Sequence, residues 1–392
     1  MKDKIKIGLF IDTFFPMVDG VCMVVDNYAR RLVKYGDVTV FAPEYAGAKY
    51  DDSKFPYRVV RCKSLKAPVI DYSIPIPKWD RKFMKILEEY DLDIVHIHSP
   101  FMLGKLGVKY AKKHHIPAVA TMHSQFKQDF QRAVKLNGFA TLLTNVVIKV
   151  FNQCDECWAV NSEVARIFYE DYKYHTLPKV MNNSTDMKPV KDSQKARELI
   201  NQKHQIKDDE KVFLFVGRIN NLKNVFFIAD SLKVLKENEP DLKFKMLYVG
   251  TGQDEEKLKE IITQNHMNDE IIMCGKVMDR ELLAAYFHRA DLFLFPSLYD
   301  ASSIVQIEAA SQKTPCLFVE GAATTATVTD GKNGFISKND ISEYAKDIAH
   351  IMKNEELYQS VSEACYHDLY KNWDDTIAEV YERYLELIKK NI

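Results

Sequence analysis

Apolar residues along this chain come in two alternating patterns. Short unbroken runs rich in Val, Ile and Phe occupy residues 4–11, 37–42, 93–98, 117–122 and 156–160. Beyond Asp186 the pattern restarts, with runs at 211–217, 243–250, 270–275, 291–296 and 314–319. Runs without polar alternation suit parallel strands buried on both faces. Between them the spacing is helical. Val24, Tyr28 and Leu32 share one face, and Phe139, Leu142, Leu143, Val146, Val147, Val150 and Phe151 form a longer stripe. Strand–helix–strand alternation predicts an α/β protein with parallel, doubly wound sheets. Each half carries about five such units, enough for one Rossmann-like domain each.

The polar stretch "MNNSTDMKPVKDSQ" (181–194) is the natural boundary. It divides the chain into a first domain of residues 1–187 and a second of 188–371. One amphipathic helix closes the chain over 372–392, and its composition does not say which domain it packs on.

Composition narrows the function classes. The 392 residues are 46% hydrophobic and 28% charged, an ordinary globular balance. With 54 basic and 55 acidic residues, global charge gives no argument for nucleic acid. No apolar run reaches the ~18 residues of a membrane span. The opening "MKDKIKIGLFIDTFF" reads as a strand, so the expectation is a cytoplasmic protein. The 7 scattered cysteines read as free thiols, including the isolated Cys154-x-x-Cys157 pair.

Four segments carry candidate chemistry, each just past a strand. In "FVGRINNLKN" (215–224), Gly217 ends a strand, and Arg218 and Lys223 precede a helix. Two cations beside a helix N-terminus form an anion site. In "SLYDASSIVQIEAA" (297–310), Asp300 and Glu308 flank an uncharged turn. Ser303 and Gln306 match a capping box, placing a helix start near Ile304. In "FFPMVDGVCMVV" (14–25), Gly20 at a helix start lets backbone approach a phosphate or sugar. In "ATMHSQF" (120–126), His123 suits a site that handles hydroxyls. His96 and His98 of "HIHSP" are expected on opposite faces of their strand, unable to share a metal.

Together these segments resemble the family 4 retaining glycosyltransferases, and the resemblance runs nearly the whole length. Gly217, Arg218 and Lys223 match the family's G-R-x(4)-K, and Asp300 to Glu308 its E-x(7)-E. "FFPMVDGV", "DIVHIHSPF", "TMHSQF", "VMNNSTDM", "GKVMDRELLAAYFHRAD", "TDGKNGFIS" and Trp373 are similar to other family segments in the same order. The resemblance implies a GT-B fold, two Rossmann-like domains facing a cleft, with the last helix crossing back to the first domain. It implies transfer of a hexose, with retention, from a nucleotide diphosphate sugar to a hydroxyl acceptor. UDP is the expected base carrier, GDP the next. Arg218 and Lys223 would hold the diphosphate in place of a metal, so no cofactor is expected. Gly217 belongs to the same turn. The backbone at Lys276 and Val277 would hold the nucleobase and Glu308 the ribose. Asp300, with the amides of Ser303 and Ile304, would hold the hexose, and His123 and Gly20 would face the sugar from the other domain. Three departures stand out: Asp300 for the family's first Glu, Ser303 for a glycine, and no Glu in "EGAATTATVTDG" before Asp330.

The acceptor expectation is a lipid or glycan precursor. Lys105, Lys109 and Lys112 share one face of a helix over 101–115, Lys113 follows, and Phe101, Met102 and Leu103 stand beside them. A basic face with apolar neighbours suits an anionic membrane surface, such as the inner face of the plasma membrane. Two rival readings are a nucleotide-sugar epimerase of the same fold and a non-catalytic nucleotide-sugar-binding subunit.

Overall fold

The computed structural model describes residues 4–391 apart from 18, 46, 49–50, 67–72 and 135–136, and leaves out the side chains of 132–134, 137 and 139. It divides into two units. The first comprises Met1–Asn183 with Trp373–Ile392, the second Ser184–Asn372.

The first unit runs β1 (Lys6–Phe10), α1 (Gly20–Leu32), β2 (Asp37–Pro43), β3 (Arg58–Cys62), β4 (Ser64–Lys66), β5 (Ser73–Pro75) and α2 (Arg81–Glu88). It continues with β6 (Ile94–Ile97), α3 (Met102–His114), β7 (Ala118–Met122), α4 (Phe126–Val134), α5 (Asn137–Phe151), β8 (Glu156–Ala159), α6 (Ser162–Arg166) and β9 (Lys179–Val180). Seven strands form one sheet in the order β3-β2-β1-β6-β7-β8-β9, and β4–β5 is a separate antiparallel hairpin. Every pair in the large sheet is parallel. The unbroken apolar runs have the expected cause: β1, β2, β6, β7 and β8 are buried along almost their full length.

The second unit contains α7 (Ser193–His204), β10 (Lys211–Val216), α8 (Val225–Asn238), β11 (Phe244–Val249), α9 (Glu255–Gln264), β12 (Ile271–Gly275) and α10 (Arg280–Arg289). Then come β13 (Leu292–Leu294), α11 (Ile304–Ser311), β14 (Cys316–Val319), β15 (Phe335–Ser337), α12 (Ile341–Lys353) and α13 (Glu355–Leu369). Its six strands are all parallel, in the order β12-β11-β10-β13-β14-β15. Each sheet therefore reverses strand order once, between β1 and β6 in the first unit and between β10 and β13 in the second. Such a switch point opens a crevice at the carboxyl ends of its two strands.

The last helix, α14 (Trp373–Asn391), belongs to the first unit. Its buried residues Trp373, Ile377, Val380, Tyr384 and Leu387 recur at three- and four-residue spacing. Full burial of each such side chain stabilises by ~1.5–3 kcal/mol. Arg383 locks the helix to β8: its Nε donates to both carboxylate oxygens of Glu156 at 2.9 and 3.0 Å, and Trp158 Nε1 donates to the same carboxylate at 2.6 Å.

Two expectations about packing are corrected. On α5, Val147, Val150 and Phe151 are buried, but Leu142 is 56% exposed and Val146 39% exposed. The stripe spans more arc than the sheet covers, and Ala140 and Ile148 take its place inward. The side chain of Phe139 lies outside the described residues. On α3, Phe101 and Met102 are exposed, whereas Leu103 is fully buried and is no part of a surface patch. The C-x-x-C pair is two buried free thiols, Cys154 Sγ donating to Val150 O and Cys157 Sγ to Phe151 O.

Candidate functional site

The second unit brings two of the quoted segments to one switch point. The turn after β10 carries Gly217, Arg218 and Lys223, and the turn after β13 carries Asp300 and leads into α11. Sequence places them 77 residues apart, yet Lys223 Nζ forms a direct ion pair with Asp300 Oδ1. Both side chains are largely buried, and the Lys223 ammonium also lies 5.7 Å from the Phe295 ring centroid. The second carboxylate oxygen, Asp300 Oδ2, is buried without a hydrogen-bond partner among the described residues. Arg218 is exposed, and no group among the described residues pairs with it.

Backbone packing shapes the cation turn. A Cβ on Gly250 would sit 1.9 Å from the Gly217 carbonyl oxygen, and one on Gly252 2.1 Å from that of Ile219. The two glycines after β11 let the turn after β10 lie backbone against backbone. The Asn220 side chain accepts from the Lys223 amide at 3.1 Å, and Asp254 accepts from the Asn221 amide at 2.7 Å, fixing the approach to α8.

At α11 the helix begins at Ile304 as expected, but the capping box does not form. Ser303 is the N-cap residue without a side-chain cap bond, and Gln306 Nε2 donates to Thr327 Oγ1 at 3.1 Å instead. The tertiary partner outcompetes the local one. No described group accepts from the amides of Ile304 and Val305, so the positive end of this helix is open. Helix α8 likewise starts without a side-chain cap, on Asn224 in the left-handed region at φ 59°.

Glu308, one turn along α11, is 5% exposed. Arg280 Nη2 donates to its Oε1 at 2.7 Å and to Asp186 Oδ1 at 2.7 Å. Burial raises the Glu308 carboxyl above its ordinary value, Arg280 pulls it back, and Asp186 opposes Arg280. Arg280 is the residue that sequence reasoning missed. It sits in the quoted "GKVMDRELL", but no spacing rule ties it to an acid 28 residues later. Lys276 follows Gly275, whose φ of +68° turns the chain out of β12. Lys276 is exposed, while the Val277 side chain packs against the core, leaving its backbone as the part that can meet a ligand.

In the first unit the corresponding positions look different. Helix α1 starts at Gly20, and a Cβ there would meet nothing within 4 Å. Packing does not demand this glycine. Asp19 caps the helix, accepting from the Cys22 amide at 2.7 Å. That carboxylate makes the α1 terminus a poor phosphate site. The N-terminus of α3 is also taken: Asp12, 6% exposed, accepts from Leu103 N at 2.7 Å and from Ser99 Oγ at 2.6 Å.

His123 stands past β7 and makes a 3.1 Å contact from Nε2 to His98 Nδ1. His96 and His98 lie on the same side of β6, their ring centroids 4.0 Å apart, which corrects the expectation of opposite faces. The physical reason is the two-residue period of a strand, which returns residues i and i+2 to one face. His96 hydrogen-bonds Tyr384 OH at 2.5 Å and Thr121 Oγ1 at 2.7 Å. Burial lowers all three imidazoles, His123 to about 3, so all are neutral near pH 7.

Comparison with known proteins decides what these turns belong to. Residues 18–188 match the profile described as Glycosyltransferase Family 4, and residues 196–368 that described as Glycosyl transferases group 1. The chain belongs to the family 4 glycosyltransferases. Among its relatives is the alpha-monoglucosyldiacylglycerol synthase of Acholeplasma laidlawii, 27% identical over 98% of each chain. Among solved structures, sucrose-phosphate synthase from Thermosynechococcus elongatus aligns over 99% of this chain and 100% of its own, with a TM-score of 0.80 and 17% identity. HepE from Anabaena, solved in complex with UDP-glucose, aligns over 96% and 99% with a TM-score of 0.73 and 14% identity. These likenesses show the fold, GT-B. The match covers both units, so this is a glycosyltransferase enzyme of the family 4 type. No helix among the described residues is long and apolar enough to cross a membrane.

Proposed function

We propose that this glycosyltransferase moves a hexose, with retention, from a nucleotide diphosphate sugar to a hydroxyl acceptor on a glycolipid or glycan precursor. The observation that carries the reading is the open positive end of α11 beside unpaired Arg218 and the Lys223–Asp300 pair. Negative charge builds on a leaving diphosphate, and preorganised cations and amides stabilise it. Arg218 supplies a planar fork and Lys223 a movable charge. In this reading the diphosphate takes over Lys223. The released Asp300 carboxylate then accepts from hexose hydroxyls, beside the amides near Ser303 and Ile304. Glu308, whose ionised form Arg280 favours against the effect of burial, accepts from the ribose hydroxyls, and the backbone at Lys276 and Val277 meets the base. In the first unit, His123 and the Gly20 turn handle sugar hydroxyls. The departing phosphate itself serves as base for the acceptor hydroxyl. The two cations take the part of a divalent metal, so the reaction is expected to run without one.

UDP is the favoured carrier, supported by the UDP-glucose complex of the Anabaena neighbour. A lipid acceptor is supported by the name of the Acholeplasma relative and by the basic face of α3. Lys109 and Lys112 are exposed, and Lys105 is half-buried; Lys112 reaches Gln153 at 3.3 Å, and Lys113 pairs with Glu88. We place the protein at the cytoplasmic membrane surface through this face.

Incubation with a panel of UDP-, GDP- and ADP-hexoses tests the donor. Tight binding and slow hydrolysis of a UDP-sugar is the expected result, and no binding of any member would sink the reading. Interconversion of the donor without an acceptor would mark an epimerase, and binding without turnover a non-catalytic subunit. Flotation with anionic liposomes at low salt tests the membrane face; failure to float removes it.

A further inference from the structure

His98 has one nitrogen in use and one without a partner. Its Nδ1 faces His123 Nε2 at 3.1 Å, across rings inclined by 22°. Its Nε2 is buried and has no hydrogen-bond partner among the described residues. The His98 ring centroid lies 4.0 Å from that of His96 and 5.2 Å from that of Tyr28, which meets it edge-on.

Two imidazoles in such contact share one proton: one ring donates N–H and the other accepts on a lone pair. The unpartnered nitrogen decides which. A buried N–H with no acceptor is rarer and costlier than a buried acceptor left empty. His98 therefore carries its proton on Nδ1, where it has a partner, and leaves Nε2 as a bare lone pair. His123 Nε2 must then accept, and the single proton of its neutral ring resides on Nδ1. No described group takes His123 Nδ1, and His123 keeps part of its surface exposed.

We propose that His98 is a positioning residue that fixes His123 in the Nδ1–H tautomer, so that His123 meets the substrate as a hydrogen-bond donor and not as a base. The substrate half of this statement rests on His123 facing the sugar, as proposed above. The partner atom would be an oxygen with a free lone pair, a sugar hydroxyl or ring oxygen. The His98 ring is itself backed by His96, which is clamped at both nitrogens by Tyr384 and Thr121. The last helix of the chain thereby buttresses a side chain three contacts away.

The test is nitrogen NMR of the full-length protein labelled with ¹⁵N in the histidine rings, His123 being assigned by the signals lost in His123→Gln. The expected spectrum has a protonated Nδ1 and an unprotonated Nε2 at His123. A protonated Nε2 would overturn the proposal and would mean that the Tyr28 ring satisfies the His98 Nε2–H. His98→Asn places an amide N–H near the original Nδ1 and should keep the tautomer. His98→Phe removes the donor and should release His123 to the other tautomer, with the KM for the sugar donor rising about tenfold for one lost hydrogen bond and kcat changing less. An unchanged tautomer in His98→Phe overturns the positioning role, and a misfolded variant leaves the native spectrum and His98→Asn to decide. Addition of the accepted nucleotide sugar separates the two levels. A shift of the His123 Nδ1 signal supports the placement at the sugar. No shift sinks that placement, even where the tautomer is as expected.

Discussion

The two switch points of this enzyme have the same strand geometry and opposite chemistry. In the second unit both flanking helices, α8 and α11, begin without a side-chain cap, and the side chains there are ionic: Arg218, Lys223 and Asp300. In the first unit both flanking helix ends are occupied by acids, Asp19 on α1 and Asp12 on α3, and the nearby imidazoles are neutral. An open helix terminus with cations attracts phosphate, while one filled by a carboxylate repels it. In the function proposed above, one fold used twice serves as an anion site and a hydroxyl site, and the difference lies in who caps the helices.

The largest expected effect tests the anion side. Arg218→Ala should lower kcat for the accepted donor by ~10²-fold or more, with Arg218→Lys recovering part of it. A loss under fivefold would mean that the free cation is only a solvated loop residue, and the contrast between the units would weaken.

The acid limb of the kcat/KM profile sharpens the same contrast. In the proposed function Glu308 binds ribose only when ionised, and burial raises its pKa, so donor binding should be lost as pH falls through that raised value. Arg280→Gln removes the group pulling the pKa down. The limb should move to higher pH, and the donor KM on the acid side should rise by ~10-fold for each unit of displacement. His123→Gln should leave the limb in place, because burial holds that imidazole neutral down to about pH 3. A limb that follows His123 instead would reverse the assignment of charged and neutral sides.

A smaller effect concerns what supports the neutral side. Arg383→Ala should destabilise the folded chain by about 1 kcal/mol in urea unfolding at pH 7. Burial raises the Glu156 carboxyl, but its bonds to Arg383 and Trp158 outweigh this and leave it below its ordinary 4.5. A carboxyl lowered by folding stabilises above its unfolded pKa, and that stabilisation fades as pH drops through the folded value. The difference between variant and native protein should therefore shrink below about pH 4. The smallest expected effect is none: EDTA should leave the transferase rate unchanged, and a loss restored by a divalent ion would refute the metal-free reading of Arg218 and Lys223.

Ten strands were legible because both faces of a parallel sheet are buried and demand unbroken apolar runs. Others were less so: β3 and β9 are largely part-exposed edge strands into which Arg58 and Lys179 carry charge, and β15 is only three residues long. Turn positions were also legible, because cations, glycines and acids after strands stand out locally. Pairing across the fold was not. Nothing along the chain joins Lys223 to Asp300, Arg280 to Glu308, or His96 to Tyr384 288 residues away.

The sequence by itself determined where strands end and which polar residues stand at those ends. Periodicity and composition act over a few residues, and the chain alone carries that information. Tertiary structure alone decided which of those residues meet, which helix ends stay open and which imidazoles lose their charge. Each of these depends on burial and on partners brought together by the strand order, and strand order is a property of the folded sheet.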